Sequence, residues 1–419
     1  MVCWLVVSAL LTSVAEPGNA GTAASPRQID LSAGPQVPNA RSAILIEAGT
    51  ETILYEMNVD EQIPPASLTK LMTLHLALQA IEEGKLSLSQ VVVPSPNAWA
   101  ENMPPHSSLM FLGPNQTLTV DELLKGLVVD SGNDAAVEVA DLIGGSVPGF
   151  VDLMNQEAAR LGYRVMHFVD PAGISASNVI TAREYADFAR WFVLAHEGSL
   201  GDFFTVRQLT YPLPANRTGG NHEKSVTQLN RNALLGRYAG VDGLKTGYID
   251  ESGYNMAVTA ERDGMRLIAV ILGVRRAGAM SGATLRARET ASLLDYGFRT
   301  FTAVRLSVGE PSPARVWKGK ARTVAVKVDP EPVVVVSKDQ ASEVRAAIVR
   351  TANVEAPVKA GQELGSVVVS IGSREVARFP LRAEVSVDRG GWVRRTLDSI
   401  VLFLREIHPD SAAARPGSP

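Results

Sequence analysis

The sequence predicts an α/β fold of the mixed α+β kind, in which an antiparallel sheet is flanked by helices. Apolar strand pairs stand on both sides of a long block with helical periodicity, and this order predicts a sheet with helices packed on it. After residue 302 the helical period gives way to valine-rich runs between Gly, Pro and charged turns. These runs predict a small all-β domain, and a C-terminal amphipathic helix follows it.

The strand pairs are two predicted hairpins. The first joins residues 42–47 to 52–55 around a turn with Gly49, and the second joins 254–260 to 265–274 at Asp263-Gly264. The block between them is mostly helical over about 118–200, and a helix through Thr290–Phe298 closes the region. Two prolines at 64 and 65 mark the start of another helix directly after the first hairpin.

Composition divides the chain into six segments. They are a signal peptide (1–24), a linker (25–38), the main helix-and-sheet domain (39–300), the all-β domain (303–387), an amphipathic helix (390–407) and a disordered tail (408–419). Residues 4–15 are apolar but too short to span a bilayer, and small residues follow them, as in a secretory signal peptide. No Lys or Arg precedes Arg27, so a start codon slightly downstream, or a disordered tail, stays open as an alternative.

The predicted terminal helix carries apolar residues at three- and four-residue steps over 391–407. It is long enough for one side to lie in a lipid interface and too polar to span the membrane. Trp392 at its start and the basic residues beside it favour a helix on a membrane surface. A helix docked on the all-β domain and a dimerisation helix are the alternatives.

Charge and composition exclude several classes of function. The net charge is −4 and no basic stripe is visible, so nucleic acid is not an expected partner. Cys3 is the only cysteine and lies in the predicted signal peptide, which excludes disulfides, zinc thiolate sites and a cysteine nucleophile from the mature chain. Six histidines lie far apart without metal-ligand spacing, so we expect neither a metal nor a cofactor.

The first candidate chemistry lies where the helix after Pro65 begins. Ser67 and Lys70 are three residues apart and therefore share one helix face. A serine hydroxyl is a poor nucleophile until a neighbour accepts its proton, and a desolvated lysine with a lowered pKa can do so. This spacing is common by chance, so two further triplets are needed to support it.

Ser131-Gly132-Asn133 and Lys245-Thr246-Gly247 are those triplets. The Ser131 hydroxyl can relay a proton, and the Asn133 amide can hold both a lysine and a substrate carbonyl. Lys245 supplies positive potential and Thr246 a hydroxyl for a carboxylate, while Gly247 leaves room on a strand edge where an extended peptide can add.

The order SxxK, SxN, KTG is the signature of penicillin-binding proteins and serine β-lactamases. Beyond the triplets, the chain resembles the low-molecular-mass D-alanyl-D-alanine carboxypeptidases of serine peptidase family S11 over roughly residues 40–300. The stretches that carry the resemblance are 43–47, 65–73, 130–136, 240–248, 252–255 and 293–298. The resemblance implies a β-lactamase/transpeptidase-like catalytic domain at 39–300.

The resemblance also implies the roles of the motif residues. Ser67 would be acylated by the penultimate D-Ala of a peptidoglycan stem peptide, and the terminal D-Ala would leave. Lys70 would be the general base, and Ser131 and Asn133 would complete the proton relay. β-Lactam antibiotics would act as covalent inhibitors, and the protein would work at the periplasmic face of the inner membrane.

Substrate binding falls to residues of the third motif and its surroundings. Lys245 and Thr246 would hold the terminal carboxylate, beside Gly247, and the backbone N–H groups of Ser67 and Tyr248 would form an oxyanion hole. Arg286 matches a family arginine that assists carboxylate binding, with a surface arginine at a helix start as the alternative. Glu47, the 170–174 loop and Ile249 depart from the family pattern, which puts the fine specificity in doubt.

Three other functions are alternatives to a D-alanyl-D-alanine carboxypeptidase. A class A β-lactamase shares the three motifs but adds an ExxLN glutamate, and the stretch Glu184-Tyr-Ala-Asp187 does not match it. A D-alanyl endopeptidase would use the same catalytic set but usually lacks the β domain and the amphipathic tail. A non-catalytic wall-binding protein would not need all six polar motif residues.

Overall fold

The computed structural model describes residues 34–220 and 223–407. The whole predicted signal peptide (1–24), residues 25–33 of the predicted linker and the predicted tail at 408–419 therefore lie outside the described residues. The helices are α1 (Lys70–Glu82), α2 (Val120–Lys125), α3 (Asn133–Gly144), α4 (Val147–Arg160), α5 (Ala182–Ala195), α6 (Glu197–Ser199), α7 (Gly282–Thr300) and α8 (Trp392–Ile407).

Seventeen strands are present in the described residues. They are β1 (Ser42–Glu47), β2 (Ile53–Met57), β3 (Val91–Val92), β4 (Leu118–Thr119), β5 (Gln208–Tyr211), β6 (Val226–Leu229), β7 (Val241–Ile249), β8 (Gly253–Arg262), β9 (Met265–Val274), β10 (Phe301–Arg305), β11 (Ala314–Arg315), β12 (Thr323–Val324), β13 (Val326–Val328), β14 (Val333–Ser337), β15 (Val344–Arg350), β16 (Glu363–Ile371) and β17 (Arg374–Ala383).

The main sheet has five antiparallel strands in the order β2-β1-β9-β8-β7. Both predicted hairpins form, and the first strand of the chain pairs with β9 from the second hairpin. This pairing brings the two ends of the domain together around the helical block. Strand β7, which carries the third motif, is an edge strand and has a free side where a peptide can lie.

Apolar side chains pack on both faces of this sheet. One cluster joins Ile44 and Val270 to the helices α1, α3 and α5, and the other joins Leu45 and Leu267 to Leu293 of α7. Alternate residues of β1 and β9 thus enter opposite clusters, as the period of two in a strand requires. The predicted mixed fold with a flanked antiparallel sheet is confirmed.

Two helix boundaries differ from the sequence expectation. α7 begins at Gly282, where the Ser281 side chain accepts from the Thr284 N–H as an N-cap, eight residues before the predicted start. Ser67 lies in a single 3₁₀ turn, Ala66–Thr69, and the α-helix proper begins only at Lys70. Ala66 has a φ of +52°, an unfavourable conformation for a residue with a Cβ atom.

The C-terminal part is all-β until α8, as predicted. Its largest sheet has the strand order β13-β17-β16-β15, and β10 pairs with β14 beside it. α8 then docks through polar atoms: Asp398 accepts a hydrogen bond from the Lys318 N–H at 2.6 Å, and Arg394 donates to the Lys320 carbonyl at 3.2 Å. Within the described range no helix is both long and apolar enough to cross a bilayer.

Candidate active site

The Ser67 turn is held between helix α5 and the sheet. The buried Tyr185 hydroxyl donates to the Leu68 carbonyl at 2.9 Å. Asn255 of β8 donates from Nδ2 to the carbonyls of Pro64 and Pro65 at 2.9 and 3.1 Å. Because both sides of the turn are tied to buried elements, Ser67 keeps a fixed position although it is only half-buried.

Lys70 is fully enclosed and contacts the serine. Its Nζ lies 3.1 Å from Ser67 Oγ, 2.7 Å from Asn133 Oδ1 and 2.7 Å from the Ala172 carbonyl. Burial lowers the pKa of Lys70 to about 7, although Asp170 and Asp134 oppose this with their negative charges. The lysine is therefore close to losing its proton at neutral pH.

The second motif meets the third through its serine. Ser131 has a φ of +59° and follows a π-helical segment at Gly126–Asp130, which turns its side chain toward β7. Lys245 Nζ donates to Ser131 Oγ at 2.7 Å. Burial, followed by the charges of Lys70 and Arg231, lowers the pKa of Lys245 well below its ordinary value. The three motifs thus form one hydrogen-bonded cluster.

Gly247 lies directly against the nucleophile turn. A Cβ atom at this position would stand 2.8 Å from the Pro65 carbonyl oxygen and 2.9 Å from the Ser67 nitrogen. Only glycine allows β7 to approach the turn this closely. Thr246 beside it is buried, and Tyr248 is about half exposed, at 47%.

Two carboxylates, the buried Asp134 and the partly buried Asp170, hold the loops that surround the cluster. Asp134 accepts from the backbone N–H groups of residues 110–112 at 2.8–3.0 Å. Asp170 accepts from the N–H groups of residues 172–174 at 2.6–3.1 Å, and so fixes the Ala172 carbonyl against Lys70. Both carboxylates accept hydrogen bonds from backbone N–H groups.

Arg286 is not a surface arginine. It is 7% exposed, and its Nη1 donates at 3.2 Å to the carbonyls of Gly247 and Asn255. Burial lowers its pKa to about 10. The side chain therefore lies behind β7, where it binds the backbone of the strand that carries the third motif, and the surface alternative is wrong.

The structure thus gathers Ser67, Lys70, Ser131, Asn133, Lys245, Thr246 and Gly247 into one site. Asn255 and Ala172 complete it and were missed, because a backbone carbonyl has no sequence signal and an asparagine in a strand has little. The family resemblance over 252–255 is the only clue to Asn255 that the sequence offers. Within the described residues no group of three or more His, Cys, Asp or Glu side chains is arranged to hold a metal ion.

Comparison with known proteins gives matches over both parts of the chain. The family model for D-alanyl-D-alanine carboxypeptidase matches residues 30–276, and the model for the penicillin-binding protein 5 C-terminal domain matches residues 306–389. D-alanyl-D-alanine carboxypeptidase DacF of Bacillus subtilis (strain 168) is 32% identical over 371 residues, which cover 87% of this chain and 90% of DacF.

Solved structures agree with these matches. Penicillin binding protein 5 from Haemophilus influenzae superimposes with a TM-score of 0.75 at 30% identity, over 87% of this chain and 99% of that one. Penicillin-binding protein D2 from Listeria monocytogenes, in an ampicillin-bound form, superimposes with a TM-score of 0.52 at 28% identity, over 62% of this chain and 97% of that one. The chain belongs to the D-alanyl-D-alanine carboxypeptidase family and is a serine-type carboxypeptidase.

Proposed function

We propose that the enzyme removes the terminal D-alanine from peptidoglycan stem peptides through an acyl-enzyme on Ser67, and that penicillin inhibits it by acylating the same serine. The Ser67 hydroxyl attacks the carbonyl carbon of the penultimate D-alanine while its proton moves to Lys70. The C–N bond to the last residue then breaks, and the departing amine takes a proton. Water hydrolyses the ester and regenerates Ser67.

The hydrogen-bond partners of Lys70 are the main support for this proposal. A neutral amine has two N–H donors and one lone pair. Two of its neighbours, Asn133 Oδ1 and the Ala172 carbonyl, can only accept, so they take both donors. The lone pair is then left for the third neighbour, the Ser67 hydroxyl at 3.1 Å. With its pKa near 7, Lys70 is equipped to act as the general base.

The second and third motifs suit the leaving group. Lys245 donates to Ser131 Oγ, so the Ser131 hydroxyl hydrogen is free to point into the cleft toward the departing amine. A positive charge on Lys245 favours binding of a peptide that ends in a carboxylate, and Thr246 adds a hydroxyl for that group. These are the roles we assign to the two motifs.

The edge of β7 suits the acyl half of the substrate. An extended peptide adds to the free side of an edge strand through backbone hydrogen bonds. Gly247 lies against the Ser67 nitrogen, and Tyr248 is the next residue of β7. We assign the oxyanion hole to the N–H groups of Ser67 and Tyr248. Arg286 acts indirectly, by holding the Gly247 carbonyl from behind.

A β-lactamase would need a free carboxylate to activate the deacylating water. The nearest candidate from the sequence, Glu184, accepts from the backbone N–H groups of residues 164–166 at 2.8–3.2 Å. Asp170 and Asp134 are also occupied by backbone donors. A penicilloyl-enzyme should therefore persist, and the Listeria neighbour in its ampicillin-bound form supports the same expectation.

A D-alanyl endopeptidase and a non-catalytic wall-binding protein have weaker support. An endopeptidase usually lacks the β domain, whereas residues 306–389 match the C-terminal domain of penicillin-binding protein 5. A binding protein without catalysis has no need for a lysine that is desolvated and aimed at a half-buried serine.

We also propose that the chain is exported and that α8 binds the membrane surface on the periplasmic side. Polar side chains of α8 face the β domain, and Leu402 is buried, but most of the apolar side chains point outward; Trp392 is 78% exposed and Phe403 is 61% exposed. A lipid interface supplies a partner for these exposed apolar side chains. The domain divisions at 39–300, 303–387 and 390–407 follow from this arrangement as part of the proposal.

Hydrolysis is tested with a peptide that ends in D-Ala-D-Ala. We expect wild type to release free D-alanine and Ser67→Ala to release none, whereas Ser89→Ala, at an exposed position, keeps the wild-type rate. Release by Ser67→Ala would refute the nucleophile, and rapid turnover of nitrocefin would favour the β-lactamase. For α8, we expect wild type to float with vesicles that contain anionic lipid and a chain that ends at residue 391 to stay behind. Flotation of the shortened chain would refute the anchor.

A further inference from the structure

A pocket of about 350 Å³ lies between the 99–114 loop and the segment around the start of β6. None of the motif residues, all of which the structure describes, lines this pocket, and the reaction steps proposed above leave it unused. Phe111 and Val226 are each 38% exposed, so a ligand can reach these apolar walls from solvent. Six apolar side chains form most of the lining: Trp99, Phe111, Leu112, Pro114, Pro212 and Val226.

The wall of the pocket is fixed by one buried amide. Gln116 is 1% exposed, and its Oε1 accepts from the Gly113 N–H at 3.0 Å and from the Tyr211 hydroxyl at 2.8 Å. Its Nε2 donates to the Phe111 carbonyl at 3.2 Å and to Glu223 Oε2 at 2.5 Å. One side chain thus joins three segments of the lining, and the pocket is formed before any ligand arrives.

Both segments that enclose the pocket also contact the second motif or its neighbour. On the loop, the Ser108 carbonyl accepts from the Asn133 N–H at 2.8 Å. On the other side, Arg231 follows β6 by two residues, and its Nε donates at 3.2 Å to the carbonyl of Asp130, which directly precedes Ser131. The pocket therefore lies next to the second motif, whose serine meets β7 across the cleft.

The charge at the rim of the pocket favours a cation. Glu101 lines the pocket, is exposed, and makes no hydrogen bond or salt bridge with any residue that the structure describes. Glu223 and Lys224 line the pocket as well and carry opposite charges, so Glu101 gives the lining a net negative charge. Apolar walls with a carboxylate at the rim suit an aliphatic chain that ends in a cation, because the methylene groups pack on the walls while the charged head stays near water.

We infer that this pocket is a specificity subsite, which binds the side chain of the residue that precedes D-Ala-D-Ala and selects an unbranched aliphatic chain with a terminal ammonium. The inference rests on the proposed function, since it concerns a further part of the same substrate. An extended peptide advances about 3.3 Å per residue, so this residue lies one step beyond the acylated D-alanine. A long side chain from there passes over the second motif and enters the pocket with its ammonium near Glu101.

Equilibrium binding by calorimetry tests the subsite, with Ser67→Ala as the background so that no turnover occurs. Three N-acetylated peptides of the form X-D-Ala-D-Ala are compared, with lysine, norleucine or alanine at X. Norleucine keeps the carbon chain of lysine without its charge. We expect the norleucine peptide to bind about tenfold tighter than the alanine peptide, because it buries more apolar area. The lysine peptide should bind about fivefold tighter than the norleucine peptide, as is typical for an exposed ion pair.

Two variants separate the effect of the charge from that of the walls. Glu101→Gln should bring the lysine peptide to within about twofold of the norleucine peptide and leave the other two peptides unchanged. Val226→Lys places an ammonium in the pocket and should weaken the lysine and norleucine peptides by at least about fivefold, while the alanine peptide stays within about twofold. Glu197→Gln, at an exposed glutamate of α6 outside the pocket, should change none of the three.

Equal binding of the three peptides, equal weakening of all three by Glu101→Gln, or loss of the lysine preference in Glu197→Gln would overturn the inference, as would failure of all three peptides to bind the Ser67→Ala chain. D-alanine release by the chain with Ser67 intact is measured separately. If release is absent while the lysine preference depends on Glu101, the hydrolysis proposal fails and the subsite stands. If all three peptides release D-alanine but neither variant alters their binding, the subsite fails and the hydrolysis proposal stands.

Discussion

The close approach of Gly247 to the nucleophile turn makes Gly247→Ala a sharp test of the geometry. The added Cβ would lie 2.8 Å from the Pro65 oxygen, 2.9 Å from the Ser67 nitrogen and 3.0 Å from Ala66 Cβ. These neighbours cannot yield easily, because the Pro65 carbonyl is held by Asn255 Nδ2 at 3.1 Å. The strand must therefore move away by about half an ångström, at a cost of about 1–3 kcal/mol for overpacking.

Gly247→Ala should slow acylation more than it destabilises the fold. A displacement of about 1 Å at a reacting centre lowers a rate by about a hundredfold, so we expect acylation by a fluorescent penicillin to slow by at least about tenfold. The assay is the rate of covalent labelling, with the melting temperature measured alongside. Gly198→Ala is the matched control, because its added Cβ meets no heavy atom within 4 Å. If Gly247→Ala labelled at the wild-type rate, the assigned contact between β7 and Ser67 would be refuted.

Three further predictions concern buried ionisable groups. Because the pKa of Lys70 is about 7, the rate of acylation should rise with pH and reach half its maximum near pH 7. A midpoint above about pH 9 in a series of rates against pH would contradict the assignment of Lys70 as the general base. Burial raises the pKa of Asp130 to about 7, so its contribution to stability is lost as pH rises from about 4 to about 7. Asp130→Asn should therefore raise the free energy of unfolding at about pH 8 by up to about 4 kcal/mol, and by much less at about pH 4. Denaturant unfolding measures this difference, and an equal change at both pH values would refute the prediction. Burial lowers the pKa of His75, whose ring contacts Glu157 and His196, so its contribution is lost as pH falls below about 6.5. Between about pH 7.5 and 5.5 the melting temperature of wild type should fall more than that of His75→Gln. Equal decreases in the two proteins would show that His75 does not contribute to the pH dependence of stability.

Local signals in the sequence were sufficient to predict the two hairpins, because the alternation of apolar residues and turn residues such as Asp263-Gly264 act over short distances. The order of the three motifs was also sufficient to predict that they share one site, because it is the signature of penicillin-binding proteins and serine β-lactamases. Local signals could not reveal that β1 pairs with β9, since that contact joins segments that are far apart in the chain. The N-cap of α7 at Ser281 was missed because the glycines and polar residues after it weaken the helical period.

The positions of individual side chains were harder to predict. Arg286 was assigned to the site only because it matches a family arginine. Its burial behind β7 depends on tertiary packing, which the spacing of residues in the sequence does not predict. The Ala172 carbonyl, which takes one of the two Lys70 donors, is a backbone atom and leaves no trace in residue identity. Asn232 and Arg231 lie outside every motif, so only the bonds to Gly243 and Asp130 indicate that they border the site.

In the proposed mechanism Ser67 is the acylated nucleophile and Lys70 activates it. Intact-mass spectrometry after incubation with benzylpenicillin, followed by peptide mapping, tests this most directly. We expect one penicilloyl group per chain, on the peptide that contains Ser67. The group should persist long after excess drug is removed and should be absent from Ser67→Ala and Lys70→Met. An adduct on another residue, or full labelling of Lys70→Met at the wild-type rate, would contradict this mechanism.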